Sequence, residues 1–262
     1  MRSGKVAVTF AVLLVVSFAV MNAMPSDTLP AALLQEAVLA LVAFAAVGFA
    51  IPDAHKRCTK SVQQRSIVRF ATIALLLVGL VGGAITLLAW LFAGGGTMAG
   101  FASTALPSTA DLMENLLLLL GICLLTGLYE ESFMRVLGIE AFERALDTKR
   151  AILASAALFA LLHVGAPDVS AGQLVLLQAA LKFGQALLFG VILGALYVRT
   201  RRLWPCAFIH AGFDVLYLAP NVLLTGTMPE TYASGAVGDT VLLAVSVLML
   251  SGIVLKIRKE IA

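Results

Sequence analysis

Glu130-Glu131-Ser-Phe-Met-Arg135 places two adjacent carboxylates at the end of a leucine-rich run, with an arginine four residues after the second. Each ionised group near the centre of a bilayer costs a few kcal/mol, so three within six residues need partners, water or a chemical task. Glu131 and Arg135 stand i,i+4 on a helix and can pair, which makes both support residues. Glu130 points about 100° away and is left free as a general base.

Two later stretches repeat the i,i+4 spacing with other polar groups. Phe159-Ala-Leu-Leu-His163 sets a ring and an imidazole on one face, and His210-Ala-Gly-Phe-Asp214 does the same for an imidazole and a carboxylate. Counted from the basic ends of their helices, His163, His210 and Asp214 lie roughly 12–20 Å deep, and Glu130 falls in the same layer. Taken singly, each piece has a plain structural use. A histidine can hydrogen-bond between helices, a Glu–Arg pair can lock a bundle, and Asp214 can hold the His210 tautomer. Carboxylates and imidazoles from three helices at one depth describe a single intramembrane site.

The elements that must hold these groups are membrane helices. Of 262 residues, 61% are hydrophobic and 13% charged, with a mean hydropathy of +1.00; a soluble domain carries about 25% charged residues. The apolar residues come in continuous blocks rather than alternating, which excludes a strand barrel and predicts an all-α polytopic bundle. Eight spans are expected, at roughly 5–24, 31–51, 67–92, 111–138, 151–166, 174–198, 203–219 and 238–255, punctuated by Pro30, Pro107, Pro205 and Gly94-Gly95-Gly96. The chain reads as one integral membrane domain, 1–262, with the polar motifs confined to a core of 111–219. The first span follows Arg2 and Lys5 and is read as an uncleaved helix, because the residues before Met24-Pro25 match a cleavage site poorly.

Lys and Arg total 18. All but Arg135 and Lys182 cluster at the N-terminus, the 53–69 loop, the 140–150 segment, the 199–202 turn and the C-terminal Lys-Ile-Arg-Lys-Glu. The intervening connections carry none, which predicts that both termini are cytoplasmic. That asymmetry explains the net charge of +3 without nucleic acid as a partner. Glu140–Arg150 reads as a short amphipathic surface helix. Three cysteines, with Cys58 in the basic loop beside His55 and Cys123 and Cys206 in spans, imply no disulfide framework; Cys206, i,i+4 with His210, is read as a small packing residue.

In this order on successive spans, Glu-Glu-x-x-x-Arg (130–135), Phe-x-x-x-His (159–163) and His-x-x-x-Asp (210–214) resemble the CAAX protease and bacteriocin-processing family of intramembrane proteases, which includes the type II CAAX prenyl endopeptidases. The resemblance covers about 111–219. It implies a glutamate-dependent peptidase in which Glu130 and His163 activate a water while His210 and Asp214 stabilise the tetrahedral oxyanion. CAAX-processing members carry Asn where this chain has Asp214. Ionised Asp cannot donate a hydrogen bond, so Asp214 must be protonated or must accept from His210. Substrates implied by the resemblance are membrane-associated precursors: prenylated C-termini, leader peptides or C-terminal sorting segments.

Other readings use the same residues. His163 and His210 with a carboxylate could ligate zinc at an open catalytic site, although the helical His-Glu-x-x-His signature is absent and no cofactor is expected to be required. A non-catalytic immunity or scaffold protein is the alternative from another class, and a proton-coupled transporter using the buried Glu, His and Lys as a relay is a third. Gln178, Lys182 and Gln185 form a further polar stripe facing the bundle interior, with Lys182 pairing to Asp168 or one of the glutamates, or lining a substrate path. Glu36 is an intramembrane acid with no partner assignable from sequence. The composition suggests an enzyme of the bacterial plasma membrane, its partners being a membrane-associated substrate and the bilayer.

Overall fold

The computed structural model describes residues 2–52, 62–92, 106–164, 170, 172–229 and 233–261. Among these, regular structure is entirely helical: α1 (Arg2–Ala23), α2 (Leu29–Ala50), α3 (Val62–Phe92), α4 (Thr109–Glu131), a π-helix (Ser132–Ile139), α5 (Glu140–Phe142), α6 (Thr148–Val164), α7 (Gln173–Thr200), α8 (Leu203–Thr225) and α9 (Val237–Ile261). Seven of these stretches are long and apolar enough to cross a membrane: α1, α2, α3, α4 continued through α5, α7, α8 and α9. The polytopic all-α bundle expected from composition is what forms. The remaining expected span, 151–166, corresponds to α6, of which 17 residues are described, about 25 Å at the helical rise; the residues that follow Val164 lie outside the described ones.

One end of the bundle gathers the basic residues. Lys5 at the start of α1 lies over the Phe49 ring at the end of α2, 3.7 Å from its centroid. Lys256 near the end of α9 lies over Phe70 near the start of α3. Arg201, between α7 and α8, reaches Glu140 and Glu143. The opposite end carries helix starts capped by short polar side chains. Ser108 and Asp111 form a capping box on α4, and Thr28 caps α2, satisfying N–H groups that an α-helix leaves unpaired in its first turn.

The 140–150 segment is not a separate amphipathic helix. Helix α4 runs through the π-helix into α5 without a break, and the chain turns at Glu143–Ala145 before α6. Its acidic residues are drawn to the α7–α8 turn, where Arg201 donates to Glu143 at 2.7 and 2.8 Å and to Glu140 at 3.3 Å. Burial opposes the Arg201 charge, but these hydrogen bonds and the two carboxylate charges hold its pKa above the ordinary guanidinium value. Arg201 also takes a left-handed backbone, φ 48°, closing α7 with its N–H on the Tyr197 carbonyl.

Helix α8 continues past the predicted end at 219 and through Pro220 to Thr225. Pro220 has no N–H to give the Leu216 carbonyl one turn back. Gly83 of α3 packs directly over that carbonyl, where any Cβ would collide with it. The carbonyl left without that donor is thereby covered by a neighbouring helix.

Candidate active site

Helix α4 approaches α8 most closely at Gly127, where a Cβ would lie 2.6 Å from the Ala207 carbonyl oxygen and 3.2 Å from the Ala211 amide nitrogen. One turn beyond Gly127 is Glu131, and three residues beyond Ala207 is His210. The close approach brings them together, with Glu131 Oε1 2.9 Å from His210 Nδ1. The other oxygen, Oε2, lies 3.0 Å from Arg135 Nε, and neither side chain has any exposure. The Arg135–Glu131 contact meets an ion-pair distance, but no guanidinium N–H is aligned for a hydrogen bond. We read it as a Coulombic pair. The guanidinium also sits over the Phe159 ring, 4.7 Å from its centroid, a cation–π contact.

The helix widens where it carries this pair. Ser132 N–H is shared between the Leu128 and Tyr129 carbonyls, and the eight residues Ser132–Ile139, all buried, are wound as a π-helix. Ser155 of α6 donates to the Met134 carbonyl at 2.6 Å, tying the widened turn to the helix that bears Phe159 and His163. Such π segments occur mostly as single-turn bulges and often at functional sites.

Glu131 accepts from His210 Nδ1, which fixes that nitrogen as the donor and turns Nε2 inward. Nε2 lies 3.4 Å from Glu130 Oε2 and 3.4 Å from Asp214 Oδ2. His163 approaches Glu130 from the other side, its Nε2 3.7 Å from Oε1. Its Nδ1 lies 2.9 Å from the Phe159 carbonyl, an acceptor only, so the proton is on Nδ1 and Nε2 is open to accept one. The side chains of Glu130, His163 and Asp214 are 17, 28 and 19% exposed, against 4% for His210. Glu130, His163 and Asp214 are thus the accessible members of the cluster, while His210, Glu131 and Arg135 are sealed.

All seven residues singled out in the sequence, Glu130, Glu131, Arg135, Phe159, His163, His210 and Asp214, are brought into one cluster. The role expected for Glu131 is enlarged, since it holds both Arg135 and His210. Three features escaped the sequence reading. Phe189 of α7 packs edge-on against His210, with centroids 4.8 Å apart, and also against Phe159 and Phe213. Gln185 donates to the Tyr217 hydroxyl at 2.9 Å. Glu36 enters the charge environment of Asp214 and His210. The signal for Phe189 was present, because it extends the Gln178, Lys182, Gln185 stripe by one more turn.

Within that stripe, Gln178 is structural: it donates to Ala236 O and Thr240 Oγ1 and accepts from Gly235 N at the start of α9. Lys182 donates to Gln185 at 3.1 Å and lies in the field of Asp214 and Glu130. Its other expected partner, Asp168, lies outside the described residues, as do His55, Cys58 and the Gly94–Gly96 run. Cys206 is fully buried, its Sγ 3.8 Å from the Leu193 carbonyl. Among the described residues, no group of three or more His, Cys, Asp and Glu side chains is arranged to hold a metal ion.

The fold and the cluster together define a polytopic membrane protein with a carboxylate–imidazole site enclosed by its helices. Residues 112–216 match the family model described as type II CAAX prenyl endopeptidase Rce1-like. That segment contains all three motifs and is similar to a family of type II CAAX prenyl endopeptidases. No curated protein matches the chain.

Proposed function

We propose that this protein is a glutamate-dependent intramembrane endopeptidase with its catalytic core in 111–219. The observation that carries the reading is the placement of Glu130 between two imidazoles, at 3.7 Å from His163 Nε2 and 3.4 Å from His210 Nε2. A water held by Glu130 and His163 loses a proton to the carboxylate as its oxygen bonds to the peptide carbonyl carbon. The carbonyl electron pair becomes an oxyanion facing the His210 and Asp214 side of the cluster, where preorganised donors act most strongly. Collapse breaks the C–N bond, and Glu130 returns the proton to the leaving nitrogen, giving a carboxyl and an amine product. Glu131 and Arg135 orient His210; Phe159 and Phe189 exclude lipid and water from its flanks.

The substrate is a membrane-associated peptide or protein precursor, with a prenylated C-terminus, a leader peptide or a C-terminal sorting segment as the three classes. The enzyme lies in the cell's inner membrane with both termini in the cytoplasm, the side where the basic residues gather. Comparing membrane and secreted proteomes of Glu130→Ala and wild-type cells tests the proposal. A precursor accumulating uncut, with the variant folded and present at the normal level, is expected; unchanged processing overturns it and leaves the scaffold reading.

No metal takes part in this scheme. Purified enzyme is expected to retain its turnover after exhaustive chelation. Loss of turnover restored by zinc would instead make His163 and His210 ligands.

A further inference from the structure

Helix α8 has a second working face. Phe208 and Val215 lie roughly 150° around the helix from His210, and with Ala211 they floor an apolar groove of about 480 Å³. Leu76 of α3 walls one side and Leu120 and Leu124 of α4 the other, so the lining is hydrocarbon throughout. Phe208 is 58% exposed. Trp204, one turn nearer the basic end of the bundle, is also exposed and stacks on Phe208 with centroids 5.7 Å apart.

The register of α3 against α8 fixes what stands at the end of this groove. A Cβ on Gly212 would lie 2.9 Å from Leu76 Cδ2, and Gly79 and Gly83 pack in turn on the Phe213 and Leu216 carbonyls. The two helices therefore run parallel. Seven residues back from Leu76, Arg69 falls on the same face of α3 and level with Trp204. Arg69 is exposed, as is Arg202, the residue that precedes α8. Arg201 is already engaged by Glu140 and Glu143. A hydrocarbon groove, an interfacial tryptophan and two guanidinium groups thus follow one another towards the basic end. That succession matches the acyl chain, the headgroup boundary and the phosphate of a membrane lipid.

We propose that the groove seats one acyl chain of an anionic glycerophospholipid from the leaflet at the basic end, with the lipid phosphate held by Arg69 and Arg202. Guanidinium groups bind phosphate through parallel N–H donors. A zwitterionic headgroup brings its own cation to the same arginines, so charge selects the anionic lipid. The seated chain lies against Ala211, whose amide nitrogen packs on Gly127 of α4. The lipid therefore braces the α4–α8 contact that brings Glu131 to His210. Its binding is observable without any substrate and stands apart from the hydrolase reading.

The test is native mass spectrometry of the full-length protein, delipidated in detergent and titrated with phosphatidylglycerol or with phosphatidylcholine of the same chains. Phosphatidylglycerol is expected to fill one saturable site about thirtyfold more tightly, at about 1 kcal/mol for each of two arginines facing an anionic headgroup. Arg69→Gln combined with Arg202→Gln is expected to abolish that preference and leave phosphatidylcholine binding unchanged. Val215→Trp, which fills the groove, is expected to remove the site for both lipids; Leu120→Trp fills it from α4 and serves the same comparison should Val215→Trp fail to fold. Equal binding of the two lipids by the parent, a preference that survives the double arginine variant, or a lipid retained with the groove filled each overturns the proposal. Tighter binding of a neutral isoprenoid alcohol than of phosphatidylglycerol would assign the groove to a substrate's lipid chain and overturn it as well.

Discussion

At the scale of the residue, the buried ion pair sets the most severe constraint. Arg135 and Glu131 are both without exposure, so removing one partner strands the other's charge. Arg135→Met is expected to destabilise the protein by about 3–5 kcal/mol, whereas replacing both members of a buried pair by neutral groups is often tolerated. The double variant Arg135→Met with Glu131→Gln should therefore regain thermal stability in detergent while remaining unable to cleave, because His210 loses the charged acceptor on Nδ1. Thermal unfolding combined with precursor processing separates the two effects, and recovery of both would show that Glu131 does not orient His210. The reach of sequence reading is clear at this scale. Partners within one helix, such as Glu131 with Arg135, follow from i,i+4 spacing. Glu131 with His210 does not, because the contact depends on how closely α4 and α8 approach at Gly127, a distance no local periodicity encodes. Glu36 was visible as an unexplained acid for the same reason: its neighbours are on other helices.

At the scale of the element, two contacts position the reacting groups without touching a substrate. A Cβ at Gly127 would overlap the Ala207 carbonyl at 2.6 Å. Gly127→Val is therefore expected to push α4 from α8, separating Glu131 from His210 and abolishing processing, with Gly127→Ala milder. An active Gly127→Val enzyme would show that the helices can separate without loss of the site. The second contact is the Arg201 clamp on Glu140 and Glu143, which anchors the far end of the π-helix to the start of α8. Lysine cannot reproduce the two-pronged hydrogen bonding to Glu143. Arg201→Lys should lower kcat more than KM, and an equal effect on both would argue that the clamp only stabilises the fold. Neither contact was legible beforehand: the acidic 140–150 segment has the pattern of a surface helix, and only the proximity of the α7–α8 turn gives its carboxylates another use.

At the scale of the whole molecule, composition alone gave the all-helical membrane bundle, because backbone groups in lipid must pair within their own segment. Among the described residues, seven of the eight predicted spans have the required length; the eighth, α6, is described only as far as Val164. His163 lies on α6 with its side chain 28% exposed. Basic residues gathered at one end of the bundle predict that reporter fusions to the N- and C-termini are both active in the cytoplasm. A reporter at either terminus that functions only outside would reverse the topology assigned here.

The π-helix between the carboxylate pair and the clamp has a consequence for chain length. Its wider winding accommodates residues that a regular helix of the same rise would exclude, in a segment with no exposed position at which to loop them out. Excising one residue between Ser132 and Arg135 would let the backbone recover ordinary pitch while swinging the arginine out of line with its acid. Such a shortened chain should survive heating better than the parent and process nothing, a trade between durability and turnover written into the count of residues rather than their identity.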